Sequence, residues 1–255
     1  MLGKALVTGA RRGIGKAIAL ALAAEGFDVA MNDVAPSPEL HDAVEEIVRM
    51  GRGAVAVTGD IGEIAQHARM LDNAESALGP LTTLVNNAGV SVMRRGDLLE
   101  VTPESYDRCL AVNARGTFFL SQAFARRLLA RERPADVHCS IVTVTSANAL
   151  APSVTRGEYC VSKAAASMVS KLFAARLGDE GIGVYEIQPG FVETDMTAPS
   201  KERYDKLIAE GLTVIKRFGR PEEVGRIAAT LATGLLPYTT GQTIAADGGL
   251  LTVRY

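Results

Sequence analysis

The sequence predicts an α/β fold: a doubly wound, mostly parallel seven-stranded sheet with helices on both faces. Three observations predict it. Short apolar runs alternate with longer segments of helical spacing along the chain, a pattern that implies right-handed crossovers. The first run turns into a helix through a glycine-rich segment, Thr8-Gly9-Ala10-Arg11-Arg12-Gly13-Ile14-Gly15. The chain has 255 residues, 47% of them hydrophobic, enough for one large core. No linker, repeat or low-complexity tract divides it, so a single domain over 1–255 is expected. The arrangement is Rossmann-like in outline.

The elements follow in order. Residues 4–8 are the first strand, and 13–24 carry Ile14, Ala17, Ile18, Ala21 and Leu22 at helical spacing. Residues 29–32 form a second strand ending at Asp33. Pro36 and Pro38 interrupt the chain before a helix over 39–50. Strand three, 54–58, runs into Asp60 and Ile61. The helix over 64–78 stops at Gly79-Pro80. Leu84-Val85 opens strand four, which leads into Asn86-Asn87-Ala88-Gly89. Residues 103–130 read as one long helical region or as two helices meeting near Asn113. A β-branched run at 140–144, a helix over 159–177, a strand at 184–187, a helix over 221–231 and a strand at 243–245 complete the series. Only 191–219 reads as irregular. It follows a strand's carboxyl end, where ligands bind in open α/β sheets. Its length predicts a lid, with Phe191, Met196, Leu207, Ile208 and Leu212 over a ligand and the charges toward water.

Composition narrows the function. A net charge of −2, 5% aromatic residues and no Trp leave no basic field or stacking platform for nucleic acid. No apolar run approaches about 18 residues, so no membrane span is expected. Cys109, Cys139 and Cys160, like His41, His67 and His138, have no metal-ligand spacing. The cysteines read as buried apolar residues in a reducing compartment. With no secretory leader legible, the expected location is the cytoplasm.

The chemistry concentrates around Tyr159-Cys160-Val161-Ser162-Lys163. In a helix, Tyr159 and Lys163 share a face. Ser146 lies thirteen residues before Tyr159, at the end of an apolar run. Gly9, Gly13 and Gly15 sit at the first strand-to-helix junction, where a helix N-terminus offers amides to a phosphate. Each feature alone is more simply a surface pair, a turn or a strand end; together they suggest nicotinamide-dependent carbonyl–alcohol chemistry.

The glycine spacing, Gly-x-x-x-Gly-x-Gly, resembles that of the short-chain dehydrogenase/reductase family, and the resemblance covers nearly the whole chain. Asp60 resembles the acid that contacts adenine after strand three. Asn86-Asn87-Ala88-Gly89 matches the family's Asn-Asn-Ala-Gly, and Asn113, Ser146, Tyr159 and Lys163 match its catalytic four. Pro189-Gly190, with Val192 and Thr194, resembles the segment that holds the nicotinamide carboxamide. Thr240-Gly241-Gln242 and Asp247-Gly248-Gly249 match its C-terminal run. The resemblance is to 3-oxoacyl-carrier-protein reductase-like members. It implies an oxidoreductase, usually a homotetramer, that moves a hydride between a nicotinamide cofactor and a carbonyl or alcohol substrate. The implied cofactor residues are Gly9, Arg11, Arg12, Gly13, Ile14, Gly15, Asp33, Asp60, Ile61, Asn87, Ala88, Gly89, Tyr159, Lys163, Pro189, Gly190, Val192 and Thr194.

A tyrosine of reference pKa about 10 is a poor base. The Lys163 cation, with the positive charge of an oxidised nicotinamide, is expected to favour its phenolate. Ser146 would hold the substrate oxygen. By resemblance, Lys163 also binds the nicotinamide ribose, and Asn113 holds a helix kink and a proton-relaying water. Asp33 favours NAD, since it can accept ribose hydroxyls and repels a 2′-phosphate. Arg12 pulls toward NADP, unless it pairs with Asp33 or stays solvated. Two substrate classes stay open: a 3-oxoacyl thioester on an acyl carrier protein, or a small free alcohol, sugar, polyol or hydroxy acid. Arg126, Arg127, Arg131 and Arg133 read as solvated helix-end charges or as a carrier-protein dock. Arg94 and Arg95 are candidates to greet an anionic substrate. A non-catalytic dinucleotide sensor is the remote alternative, disfavoured because Ser146, Tyr159 and Lys163 are all present.

Overall fold

The structure, a computed structural model, describes residues 3–133 and 136–253. Its elements are β1 (Lys4–Thr8), α1 (Gly13–Ala24), β2 (Asp28–Asp33), α2 (Pro38–Arg49), β3 (Ala54–Thr58), α3 (His67–Leu78), β4 (Thr83–Asn86), α4 (Pro103–Leu110), α5 (Thr117–Leu129), β5 (Cys139–Val144), α6 (Gly157–Leu177), β6 (Ile182–Pro189), α7 (Lys201–Ala209), α8 (Pro221–Ala232) and β7 (Thr243–Ala246). The strands form one sheet in the order β3-β2-β1-β4-β5-β6-β7. Every neighbouring pair is parallel, so the expected mostly parallel sheet is wholly parallel among the described residues.

Alternate residues of each strand feed opposite helical layers, as the pleat requires. Val7, Val85, Val142 and Ile187 pack with Ile18, Leu22, Leu40, Ile47 and Val224 of α1, α2 and α8. Leu6, Leu84, Ile141 and Val184 pack with Met70, Leu120, Phe124, Leu128 and Leu177 of α3, α5 and α6. Helix starts follow capping chemistry. Ser37 accepts a hydrogen bond from the Leu40 amide at 3.2 Å ahead of Pro38, and Thr102 caps α4 ahead of Pro103. Where α1 meets α8 the backbones nearly touch: a Cβ on Gly225 would lie 2.6 Å from the Ala17 carbonyl oxygen.

The long region over 103–130 is two helices, joined by a π-helical turn at Ala111–Gly116 that contains Asn113. Gly116 allows that turn to lean on the loop after β3, since a Cβ there would be 2.4 Å from the Ile61 oxygen. The helix expected over 64–78 begins with a separate 3-10 turn at Ile64–Gln66.

The segment 191–219 corrects the irregular reading. It contains the 3-10 turn Ala198–Ser200 and helix α7. Helical periodicity was weak there because α7 is charged and buries only Ile208. Among the described residues, no helix is long and apolar enough to cross a membrane.

Gly225→Ala is expected to force α1 and α8 apart and lower stability by about 1–3 kcal/mol, read by urea denaturation. A loss under about 0.5 kcal/mol would show that the two helices separate freely.

Candidate active site

The chain runs outward from β1 through β2 to β3, then returns to β4 and runs outward the other way. A crevice therefore opens past the carboxyl ends of β1 and β4, the switch point of the sheet. It holds a cleft of about 910 Å³ lined by the glycine-rich turn, the ends of β2 to β6 and the segment after β6. That volume is at the upper end for small-molecule sites.

The floor of the cleft is built from Thr8. Its hydroxyl donates to the Val85 oxygen at 3.2 Å and accepts from the amides of Asn87 and Ala88, both at 3.0 Å. The Asn87 amide group returns to the Thr8 and Gly9 oxygens at 2.9 and 3.1 Å. Gly9 and Gly15 serve this close packing: a Cβ on Gly15 would lie 2.1 Å from the Gly9 oxygen, and one on Gly9 2.8 Å from Ala88 Cα. Gly13 differs. Its φ is +55°, and a Cβ there would meet nothing nearer than Thr194 Cγ2 at 3.5 Å, so its bare face borders the cleft. The N-cap residue of α1, Arg12, makes no side-chain cap. The first amides of α1, beside Gly13 and Ile14, thus suit an anion. This cradle, with Asp33 near it, fits a dinucleotide.

At the adenosine end expected for such a ligand, Asp33 closes β2. Its Oδ1 accepts the Val34 amide at 2.8 Å, and its Oδ2 lies 3.7 Å from Arg11 Nε, which is buried and lacks a hydrogen-bond partner. Pairing of Arg12 with Asp33 is not what forms. Arg12 has extended backbone and reaches across the cleft to Asp195, 2.5 Å away. The basic neighbour of Asp33 is Arg11. Asp60 accepts the Gly62 amide at 2.8 Å, and the Ile61 carbonyl lies 2.8 Å from His67 Nε2; both residues line the cleft.

At the other end, Ser146, Tyr159 and Lys163 come together, each under 10% exposed. Ser146 follows β5 and caps the turn Ala147–Ala149, accepting the Asn148 amide at 3.1 Å. Tyr159 and Lys163 lie in the first turns of α6. Lys163 Nζ donates to the Val144 oxygen at 3.1 Å and sits 5.8 Å from the Tyr159 ring centre. Asn113 anchors the group. Its Nδ2 donates to the Val90 oxygen and to Ser162 Oγ, both at 2.9 Å, and its Oδ1 accepts the Val90 amide at 2.8 Å. Both amide hydrogens and the oxygen are thus engaged. Asn113 lies within the π turn, and both of its side-chain hydrogens are committed to the protein.

The phenolate preference expected of Tyr159 rests on the cofactor's charge as well as on Lys163. The protein alone does not acidify Tyr159. Burial pushes its phenol above the ordinary value, opposed by a hydrogen bond with Ser146 and by the Arg156 charge. Lys163 is itself lowered to about 8, chiefly by burial and against the pull of Glu186. Glu186 escaped the sequence reading. It is 1% exposed in β6 and accepts hydrogen bonds from Thr145, Ser167, Gln188 and Thr243. One carboxylate thereby ties β5, α6, β6 and β7 together behind Ser146 and Lys163. Its signal was a charge inside an apolar strand buried on both faces. Arg156, whose guanidinium lies 5.3 Å from the Tyr159 ring centre, was also missed.

Pro189 and Gly190 end β6, and Gly190 packs on Asp247, which accepts the Gly249 and Leu251 amides at 2.8 and 3.0 Å. The C-terminal motif thus supports the site from behind. Val192 is 3% exposed and bridges Gly219. Thr194 faces Gly13 across the cleft. Of the apolar lid residues, Phe191 and Met196 line the cleft. Ile208 packs into the protein at 2% exposure, and Leu207 and Leu212 stay off the lining. Much of the arginine cluster at the end of α5 is engaged within the protein. Arg127 pairs with Asp72 and Glu75, Arg131 with Glu75, and Arg133 donates to the Glu180 oxygen.

Comparison with known proteins agrees with this geometry. The family profile described as enoyl-(acyl carrier protein) reductase matches residues 9–251. The chain is 34% identical to versicolorin reductase 1 of Dothistroma septosporum, over 96% of this chain and 94% of that one. It superimposes with a TM-score of 0.95 on the crystal structure of a 3-oxoacyl-(acyl-carrier-protein) reductase from Brucella melitensis in complex with NAD, at 40% identity over 99% and 98% of the two chains. The TM-score is 0.87 against a 3-oxoacyl-(acyl-carrier-protein) reductase from Agrobacterium tumefaciens with NADP bound, at 30% identity over 97% and 93%. Fold, cleft and relatives agree: the chain belongs to the short-chain dehydrogenase/reductase family, NAD(P)-dependent oxidoreductases acting on CH–OH and carbonyl groups.

Proposed function

We propose that Tyr159 is the general acid and base of a carbonyl–alcohol oxidoreductase, with Ser146 and Lys163 as its partners and NAD as its preferred cofactor. The observation that carries this reading is the convergence of Ser146, Tyr159 and Lys163, each under 10% exposed, on one end of the cleft, far from Asp33. A bound nicotinamide would supply or accept the hydride. Tyr159 Oη gives the substrate oxygen its proton in reduction and takes it in oxidation. Ser146 Oγ holds that oxygen. Lys163 and Arg156 favour the phenolate as its charge develops. Asn113 fixes α6 against the loop at Val90, and so aims Tyr159.

The cofactor would be held by Gly9, Arg11, Arg12, Gly13, Ile14 and Gly15 around the phosphates. Asp33, Asp60 and Ile61 would take the adenosine. Asn87, Ala88, Gly89, Tyr159, Lys163, Pro189, Gly190, Val192 and Thr194 would take the nicotinamide half. Asp33 Oδ2 has room to accept a ribose hydroxyl, and Arg12 is occupied by Asp195, which together support NAD. The segment 191–219 would close over the substrate, hinged by the Arg12–Asp195 pair and the stacking of Phe191 on Tyr204 at 4.3 Å. A homotetramer is supported by Val161, Met168 and Leu172, which form an exposed apolar stripe on α6. Between the two substrate classes, Asp33 and the internal pairing of Arg127 and Arg131 favour a small free substrate over a carrier-bound thioester.

Tyr159→Phe is expected to keep the fold and cofactor affinity and to lose turnover by about 10²–10⁴-fold, followed by absorbance of the reduced nicotinamide. Undiminished activity of the purified variant would sink the acid–base role. Titration of each cofactor is expected to give tighter binding of NAD than NADP, with Asp33→Ala levelling or reversing the order. Tighter NADP binding by the unaltered protein would mean that the basic pair Arg11 and Arg12 outweighs Asp33. Lys163 makes a third prediction. Its pKa falls from 10.5 to about 8 on folding. Between those values the unfolded chain holds a proton that the native protein has lost, so stability rises with pH there. Lys163→Met is therefore expected to gain stability over wild type by something on the order of 3 kcal/mol below about pH 8, with the gain fading toward pH 10.5. Unfolding curves of both proteins across that range check it; a difference independent of pH would mean that Lys163 is not perturbed.

A further inference from the structure

Three arginines, Arg95, Arg108 and Arg156, line the substrate end of the cleft. None has a carboxylate partner among the described residues. Some other arginines close on acids, Arg94 on Glu100, Arg52 on Asp28 and Arg217 on Glu223; what sets these three apart is that they share the cleft wall. The fold brings the three together. The loop after Gly89 meets the turn before α6 where the Gly96 amide donates to the Thr155 oxygen at 3.4 Å, and a Cβ on Gly157 would strike Leu98 at 2.3 Å. That contact sets Arg95 near Arg156. Arg108 of α4 spans to the same loop and donates to the Ser91 oxygen at 3.1 Å.

Arg156 is the central member. Its guanidinium lies over the Tyr159 ring, 5.3 Å from the centre, and its Nε is buried without a hydrogen-bond acceptor. A buried donor calls for a partner. The carboxylates of the cleft wall do not supply one. Asp33, Asp60 and Glu63 belong to the ends of β2 and β3, while Glu193 and Asp195 pair with Lys201 and Arg12. Glu158, next to Tyr159 in sequence, is buried toward α4 and accepts from Ser105 at 2.6 Å.

We propose that the substrate of this site is a short hydroxy or oxo acid whose carboxylate is bound by Arg156, with Arg95 and Arg108 drawing it in. The inference rests on the assignment of Tyr159 and Ser146 as the residues that hold the reacting oxygen. The Arg156 guanidinium lies over the ring of the residue that holds the reacting oxygen, so a carboxylate bound to it at a charge-assisted distance of about 2.8 Å belongs to a short substrate. A 3-oxoacyl thioester does not match this arrangement, because the groups flanking its ketone are an alkyl chain and a neutral thioester. Any phosphate on its carrier lies far along the arm. Three unpaired cations at the mouth also focus a positive potential that speeds capture of a small anion.

The test compares 3-hydroxybutyrate, lactate, glycerate and gluconate with their methyl esters, and acetoacetate with acetoacetyl-coenzyme A, using the cofactor-loaded protein. At least one free acid is expected to exceed its ester in kcat/KM by about tenfold to a hundredfold. Arg156→Gln is expected to collapse that acid-to-ester ratio, mainly by raising KM for the acid. Arg95→Gln, at an exposed position, is expected to give a smaller loss that shrinks as salt is added. Thermal shifts of the cofactor-loaded protein give a readout besides turnover: the acids are expected to raise Tm and the esters not, and Arg156→Gln to abolish the difference. Equal use of acid and ester, preference for the thioester, absence of an acid-specific shift, or a ratio indifferent to Arg156→Gln would each overturn the proposal. Full activity in Tyr159→Phe would instead overturn the acid–base assignment, whatever the acid-to-ester ratio.

Discussion

The clasp between β1 and β4 at Thr8 governs the rest of this structure. A parallel sheet whose chain runs outward in both directions from two central strands must part where they end. Thr8 keeps that parting narrow: one hydroxyl accepts the amides of Asn87 and Ala88 while it donates to Val85. The glycine-rich turn is pressed against the β4 loop so closely that Gly9 and Gly15 leave no space for a Cβ. Gly13 alone keeps open space beside it. The glycines thus do two separate things, close packing below and access above.

The far end of the cleft shows a different economy. Lys163 and Glu186 are buried opposite charges, joined through the field rather than by a direct bond, and both are held by neutral hydrogen bonds. The protein keeps Tyr159 protonated by burying it, and sets Ser146 and Arg156 to counter that cost. Burial thus works against the phenolate, and nearby positive charge works for it. That balance is what the acid–base role proposed for Tyr159 requires.

Most of this was legible in the sequence. The alternation of apolar runs located the seven strands to within a few residues, because central strands such as β4, β5 and β6, buried on both faces, are written as apolar stretches. The convergence of Ser146, Tyr159 and Lys163 was legible because Tyr159 and Lys163 are a helical turn apart, and Ser146 ends a strand. What stayed hidden depended on tertiary partners. α7 has an exposed, charged surface and little periodicity to betray it. Arg12 turned to Asp195, more than 180 residues away in the chain, so of its local options the pairing with Asp33 did not form. The arginines at the end of α5 looked free because Asp72 and Glu75 lie far upstream. Glu186 and Arg156 gained meaning only once their neighbours were known.

The π turn between α4 and α5 has a mechanical consequence. An extra residue in one turn rotates everything after it by about 100° relative to everything before it. α4 can therefore face the loop that carries Arg95, while α5 faces the sheet. The joint also touches both ends of the cleft, through Gly116 on Ile61 and through Asn113 on Val90 and Ser162. The turn acts as a gauge block, setting the span between the two halves of the site to one fixed length.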